Sequence, residues 1–339
     1  MNENLLAKPF THIYVEREIA EKERTRSILR CFPNAEVIPV AHYKDVFCRP
    51  RQNTALQHMR QSLILAKKTG TLIYPGSPVC QSFGHQHFYY TSLCMNCPFD
   101  CQYCYLRGMY PSGNLVLFVN LEDYRAELDS LLRQHPVYLC ISYDTELCAL
   151  ESLHGYVHAF SGMVSETPEL TVEVRTKSSC TSLLQSLKGS SRMIFAFTVS
   201  PEEVIRYEEK TPSLAARLRT IRAGIDLGHT IRLCFDPMIC VPEWKKAYRG
   251  LMETVVRELG EERLSRVFDF SVGSFRISQD YLRSLRRSTE SVVVQYPFVN
   301  MGGFYQYPPE TAEEMENYMT ELLLPYTDRA HIFRWREQA

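Results

Sequence analysis

Along this chain, short apolar runs alternate with longer stretches whose apolar residues recur every three or four positions. The short runs, rich in β-branched and aromatic residues, predict strands near 87–92, 114–120, 137–142, 171–176, 193–199, 230–235 and 267–273. The longer stretches predict helices near 104–108, 121–134, 149–161, 180–187, 212–223, 243–258 and 278–287. Strands and helices taking turns predict a parallel sheet with helices outside it, since parallel neighbours need a crossover and the helix provides one. The expected fold class is α/β, a partial (β/α)6 barrel with its chemistry at the strand ends.

Residues 1–75 read as a small leading α/β unit. His12 to Glu16 and Glu36 to Val40 are strand-like, and residues 17–29 are charged and helical. Residues 53–67 place Leu56, Met59, Leu63 and Ala66 at helical spacing, which predicts an amphipathic helix. Tyr74-Pro75-Gly76-Ser77 is turn chemistry and sets the boundary with a second unit, 76–339. Residues 292–307 predict two aromatic-rich strands around a Gly302-Gly303 turn. This hairpin either closes the barrel with core aromatics or forms a wedge on which an extruded base stacks.

Composition narrows the class. With 339 residues, 45% hydrophobic and 23% charged, the chain is an ordinary globular one. It has no apolar run of about 18 residues and no signal peptide, so no membrane partner and a cytoplasmic location are expected. Twelve cysteines without a secretory signal favour reduced thiols. A net charge of −1 gives no global attraction to nucleic acid. Charge is uneven, however. Residues 41–70 carry six Lys or Arg against Asp45 alone, and no Lys or Arg falls between Arg287 and Arg329. The basic stretch is either a phosphate contact or a solvated face.

The strongest chemical signal is Cys97-Pro98-Phe99-Asp100-Cys101-Gln102-Tyr103-Cys104, three thiols at CxxxCxxC spacing. Thiolates are soft ligands that select iron–sulfur, zinc or Cu(I). Three of them can hold three irons of a [4Fe–4S] cube and leave the fourth iron open for S-adenosylmethionine, the signature of radical S-adenosylmethionine enzymes. Cys94 adds a second CxxC pair, which admits a structural zinc site. The two pairs stand much closer than the usual separation of roughly 12–20 residues in such zinc sites. Cys94 is read instead as a strand-end cysteine, with Cys97, Cys101 and Cys104 as the metal ligands.

Cys101-Gln102-Tyr103-Cys104-Tyr105-Leu106 resembles the Cys-x-Tyr-Cys-Tyr-Leu of the spore photoproduct lyase family. Val174-Arg175-Thr176-Lys177, Phe197-Thr198-Val199 and Trp244-Lys245-Lys246-Ala247-Tyr248-Arg249 are similar to it as well, so the resemblance runs over most of the chain. It implies a radical S-adenosylmethionine lyase that reverses the methylene-bridged thymine dimer in ultraviolet-damaged spore DNA. It also implies a [4Fe–4S] cluster, S-adenosylmethionine, damaged DNA as partner and a flavodoxin or ferredoxin as electron donor. Matched by position, Thr145, Lys177, Thr198 and Asp236 fall in the pocket for the methionine end of the cofactor. There, Lys177 would pair with a carboxylate and Asp236 would accept from an amino group. Tyr103 and Tyr105 match tyrosines that move hydrogen near the substrate radical.

Two departures stand out. Where well-known members carry a hydrogen-donating cysteine, matching through Ile141-Ser142-Tyr143-Asp144-Thr145 puts Tyr143. Cys80 is the favoured replacement donor. Cys140, at an odd offset from Tyr143, is expected to face the other side of its strand, and Cys148 to lie past the rim. The hairpin also lacks the family's basic residues, leaving Arg283, Arg286, Arg287 or the 41–70 stretch to contact a strand. Two other readings stay open: a radical enzyme acting on another nucleic acid or a peptide, and a non-enzymatic cluster protein that senses redox state or binds nucleic acid.

Overall fold

Six parallel strands, each followed by helix, make up most of one eight-stranded sheet. They are Phe88–Thr91, Val137–Cys140, Leu170–Thr176, Met193–Thr198, Thr230–Met238 and Asp269–Ser274, paired in that order. Ile73–Pro75 adds an antiparallel edge beside the first, and Ile332–Arg334 a parallel edge beside the last. The two edges are not joined, so the barrel is partial. The structure is a computed structural model that describes residues 10–77, 80–289 and 291–335. Among the described residues no helix is long and apolar enough to cross a membrane.

Alternation along each strand separates two faces. Leu139, Val172, Val174, Phe195, Phe197, Leu233 and Phe270 pack outward in the main core, beneath the helices. The inner face is unlike it. Tyr138, Cys140 and Ile194 gather there with Phe83 and Phe88, and the i, i+2 positions Glu173 and Arg175, like Arg232 and Asp236, carry charge. A buried carboxylate survives only if paired. Glu173 accepts from Arg175 Nε at 2.7 Å and from both Arg232 and the Tyr138 hydroxyl, while Arg232 also bonds Asp269. The barrel interior is thus lined by paired ions rather than filled by an apolar plug.

The leading unit departs from expectation. Its helix covers only Thr54–Met59, whose Leu56 and Met59 face solvent. Leu63–Ala66 is instead a strand, buried at all four positions and paired in parallel with His12–Glu16 and Leu115–Phe118. Four consecutive apolar residues suit a strand covered on both faces, and helical spacing at 56, 59, 63 and 66 was coincidental. Strand Leu115–Phe118 lies where predicted but belongs to this five-stranded leading sheet, not to the barrel, as does Cys94–Met95. The leading sheet therefore draws on residues beyond 75, and Ile73–Pro75 belongs to the barrel sheet. The helix expected at 149–161 is two, Leu147–His154 and Tyr156–Glu166, because Gly155 takes a left-handed φ of 67° and ends the first.

The C-terminal hairpin forms with shorter strands, Val299–Met301 and Phe304–Gln306, and both turn glycines have positive φ. It pairs with Arg276–Ser278 in a separate three-stranded sheet and does not close the barrel. Tyr296, Phe298 and Tyr307 pack on one another and Phe275, with ring centroids 4.7–6.5 Å apart. Tyr305 stays half-buried at the surface.

Candidate active site

Because the six strands run parallel, their C-terminal ends meet at one mouth, and the loop after Phe88–Thr91 lies there. The three cysteines are held between strand Cys94–Met95 and helix Tyr105–Met109. Asn96 takes a left-handed φ of 67° and its amide donates to the carbonyls of Ser112 and Asn114 at 2.6 and 2.7 Å, which fixes the start of the loop. Asp100–Cys101 pairs antiparallel with Glu208–Glu209, which fixes its middle. Cys101 is buried; Cys97 and Cys104 are half-buried.

Burial pushes all three thiols up, Cys101 to about 12, with Lys177 pulling the other way. Cys97 also senses Cys101 and Cys104, and Cys101 senses Cys104. Cys94 does not share this environment. It is buried in its strand, where its neighbouring charges are Glu151 and Asp144 and where Tyr124 and Tyr156 sense it. The thiols of the loop thus act on one another, while Cys94 has a different set of neighbours. As placed, no three His, Cys, Asp or Glu among the described residues hold a metal ion. The fit to a [4Fe–4S] cluster rests on the donors: three soft thiols on one pinned loop, with no fourth beside them.

A buried ionic hub stands against that loop. Glu208 accepts from Lys177 Nζ at 2.8 Å, from Ser200 Oγ at 3.0 Å, from Arg217 Nη2 at 2.5 Å, and from the Tyr103 hydroxyl. Lys177 Nζ also lies 2.8 Å from the Tyr103 oxygen. Burial alone would raise the Glu208 carboxyl, but Lys177 and Arg217 outweigh it and hold the group far below the usual range. For Lys177, burial works downward and the adjoining Cys101 and Glu208 overcome it, keeping the ammonium charged. Arg217 further ties its Nη1 to the Thr198 carbonyl at 3.3 Å. Lys177, Tyr103 and Thr198 are thus brought together.

Glu146 stands next to this hub without a cation of its own. It accepts from the Lys177 backbone N–H at 2.9 Å and the Thr176 hydroxyl at 2.7 Å, and burial raises it to about 7. Its neighbour Thr145 is buried, and Oγ1 finds no partner among the described residues.

Asp236 belongs to a second group, deeper in the barrel. Arg175 Nη1 donates to Asp236 Oδ2 at 3.1 Å, as does Ser271 Oγ at 2.8 Å, while Asp236 Oδ1 is buried without a partner. Cys80 faces Arg175 across this space and packs with Tyr143 on the cluster of Phe83, Phe88, Tyr138, Cys140 and Ile194. Burial pushes both the Cys80 thiol and the Tyr143 phenol up, so both stay protonated at neutral pH. The Tyr143 ring lies tilted against Tyr90, centroids 5.7 Å apart, and its carbonyl accepts from the Tyr105 hydroxyl. Tyr105 therefore connects the cluster loop to this second group.

The expectation for Cys140 was wrong. Its strand ends at Cys140, so alternation does not extend to Tyr143, and Cys140 lies inside the barrel where Cys80 and Tyr143 both sense it. Cys148 is buried against Cys180, away from the mouth.

The family model described as spore photoproduct lyase matches residues 85–332. This chain belongs to the spore photoproduct lyase family. The lyase of Clostridium acetobutylicum is 20% identical over 339 residues, covering 95% of this chain and 98% of that one. Among solved structures, spore photoproduct lyase complexed with dinucleoside spore photoproduct superposes with a TM-score of 0.81 at 18% identity, covering 97% of this chain and 99% of that one. A variant with bound AdoMet and the same dinucleoside reaches 0.82 over the same shares at 18% identity. At such identity these structures speak for the fold, a radical S-adenosylmethionine partial barrel.

Within the family frame, sequence reasoning missed Glu208, Arg217, Ser200 and Glu146. Glu208 sits in a charged Glu208-Glu209-Lys210 run that reads as a solvated loop. Arg217 carried a usable signal, since it falls on the apolar stripe of Leu214, Leu218 and Ile221 in helix Leu214–Asp226. An arginine on a core face needs a buried carboxylate.

Proposed function

We propose that this chain repairs the methylene-bridged thymine dimer of ultraviolet-damaged spore DNA as a radical S-adenosylmethionine lyase. The observation that carries the reading is one barrel mouth with a three-cysteine loop on one side and the Cys80–Tyr143 pair on the other. When bound, the [4Fe–4S] cluster and S-adenosylmethionine supply a 5′-deoxyadenosyl radical able to take hydrogen from the lesion, given one electron from a reduced flavodoxin or ferredoxin.

The chain's own residues do the rest. Cys97, Cys101 and Cys104 hold the cluster. Lys177, kept charged by Glu208, binds a carboxylate, and the unpartnered Asp236 Oδ1 and Thr145 Oγ1 offer acceptors to the pocket. Cys80 Sγ–H gives its hydrogen atom to the thymine carbon radical, Tyr143 Oη–H restores the thiol, and the Tyr143 phenoxyl left behind regains a hydrogen atom from the 5′-deoxyadenosine that took one from the lesion, so the hydrogen count closes. Only protonated forms can do this, and burial keeps both protonated. Tyr105, whose hydroxyl donates to the Tyr143 backbone carbonyl, ties the Tyr143 loop to the cluster loop and so positions the donor pair. The Tyr103 hydroxyl is engaged by Glu208 and Lys177, and this makes Tyr103 a positioning residue rather than a relay.

Anaerobic incubation of reconstituted protein with the methylene-bridged thymine dinucleoside, dithionite and S-adenosylmethionine tests this. Repaired dinucleoside is the expected product. Deoxyadenosine without repair moves the reading to another radical substrate, and no cofactor cleavage moves it to a cluster protein without catalysis.

A further inference from the structure

The hairpin that would carry basic residues carries none, so the strand flanking a lesion must be held by other cations. Helix Gln279–Ser288 offers them. It follows Asp269–Ser274 and Arg276–Ser278 directly, which places its start at the barrel mouth. It packs on Tyr105–Met109, the helix that ends the cysteine loop, so closely that a Cβ on Gly108 would stand 2.2 Å from the Tyr281 carbonyl oxygen. Arg283, Arg286 and Arg287 of this helix, with Gln279 and Tyr305, line a surface depression of about 310 Å³.

From this we infer that the arginine face of helix Gln279–Ser288, with Tyr305 beside it, is the surface on which the sugar–phosphate backbone next to the lesion lies. The inference rests on the lesion reading above and names its strand-holding surface. Arg286 is already aimed: its Nε and Nη2 donate to the carbonyls of Val294 and Tyr296 at 2.8 and 2.9 Å, which fixes the guanidinium, and among the described residues no hydrogen bond takes up Nη1. Arg283 is exposed and pairs at 3.0 Å with exposed Asp280, an ion pair weak enough to exchange for phosphate. Guanidinium forks match phosphate oxygens, and a tyrosine in the same groove adds a face for a base. The basic 41–70 stretch is differently disposed. There Lys67 pairs with Glu18 at 2.6 Å, Arg49 bonds the Asp45 carbonyl, and Lys68 lies over Tyr74 and Phe118.

The test is fluorescence anisotropy of the holoenzyme with a labelled DNA duplex over a salt series. Each phosphate contact removed lowers the slope of log affinity against log salt by about 0.9. The double variant Arg283→Ala/Arg287→Ala is expected to lose close to twice that, and Arg283→Lys/Arg287→Lys to keep most of it, which separates charge from folding. Arg49→Ala/Arg60→Ala is expected to bind as wild type does. A wild-type slope in the double alanine variant, or wild-type binding that ignores salt, overturns the inference. Repair of the dinucleoside by wild type is measured in parallel. Arginine-dependent slopes without that repair support the surface and overturn the lesion reading instead.

Discussion

Glu208 and Glu146 are both buried at the mouth of the barrel, yet their carboxyls are shifted in opposite directions. Glu208 is salt-bridged by Lys177 and Arg217 and stays an anion; Glu146 has backbone N–H groups and the Thr176 hydroxyl, with Arg217 acting on it without a salt bridge, and burial raises it to about 7. The same rule separates the two halves of the site. On the cluster-loop side, burial with counter-charges produces fixed ions, which orient a loop and bind charged ends of a ligand. On the Cys80–Tyr143 side, burial works on a thiol and a phenol and keeps both as X–H donors. One half of the mouth is built to hold, the other to give up hydrogen.

The largest effect that sharpens this division lies in the loop itself. Cys97→Ala, Cys101→Ala and Cys104→Ala are each expected to abolish iron uptake on anaerobic reconstitution, whereas Cys94→Ala is expected to keep it. Iron and sulfide analysis reads the difference directly. Loss of iron in the Cys94 variant would mean that the segregation of that thiol is not real.

Next comes the hub. Glu208→Gln leaves Lys177 and the fully buried Arg217 without their carboxylate, and removing one partner of a buried pair costs about 3–5 kcal/mol. Thermal or urea unfolding of the apoprotein is expected to show that loss, together with weaker cluster retention, because Glu208 also pairs with the Cys101 strand. A variant as stable as wild type would break the claim that this half is held by its ions.

Glu146 gives a pH test of the same contrast. Its folded value, raised from 4.5 to about 7, means the folded state prefers the protonated form. The stability it adds is complete below about pH 4.5 and is lost as pH rises toward 7 and beyond, at most about 3 kcal/mol. Denaturant unfolding of apoprotein across that window is expected to show the decline, and Glu146→Gln to flatten it. An identical slope in both proteins would remove Glu146 from the account.

These contrasts also mark what the sequence could tell. The barrel strands were legible because they are short runs rich in β-branched and aromatic residues between helical stretches, and the loop because three thiols in eight residues are rare outside metal sites. The leading strand Leu63–Ala66 was not, since four apolar residues next to a true helix fit its period as well. The inner charges were half legible. Glu173 and Arg175 stand at i and i+2, which puts both on one face of strand Leu170–Thr176, with Lys177 just past its end, but their partners Glu208, Arg232 and Asp236 come from other strands and loops. Pairing over such distances is a property of the fold. The Cys80–Tyr143 contact is of this kind too: each residue was singled out alone, and the fold joined them.

That contact supplies the smaller effects. Cys80→Ala removes the thiol that returns hydrogen, so lesion consumption is expected to persist while the product radical is quenched by solution reductant into adducts. In D2O, wild type is expected to deliver solvent deuterium to the repaired thymine through the exchangeable S–H, and the variant to lose that label. Tyr143→Phe is the finer probe. It keeps the ring against Tyr90 and Phe88 and removes only the hydroxyl, so stability is expected to fall by only about 1 kcal/mol. Product stays clean because Cys80 is intact, but turnover slows after the first cycle, since the thiyl left on Cys80 has lost the phenol that recharges it. Comparing the first turnover with the steady state isolates that step. Equal rates in both phases for Tyr143→Phe would leave Tyr143 as packing and make Cys80 the end of the relay.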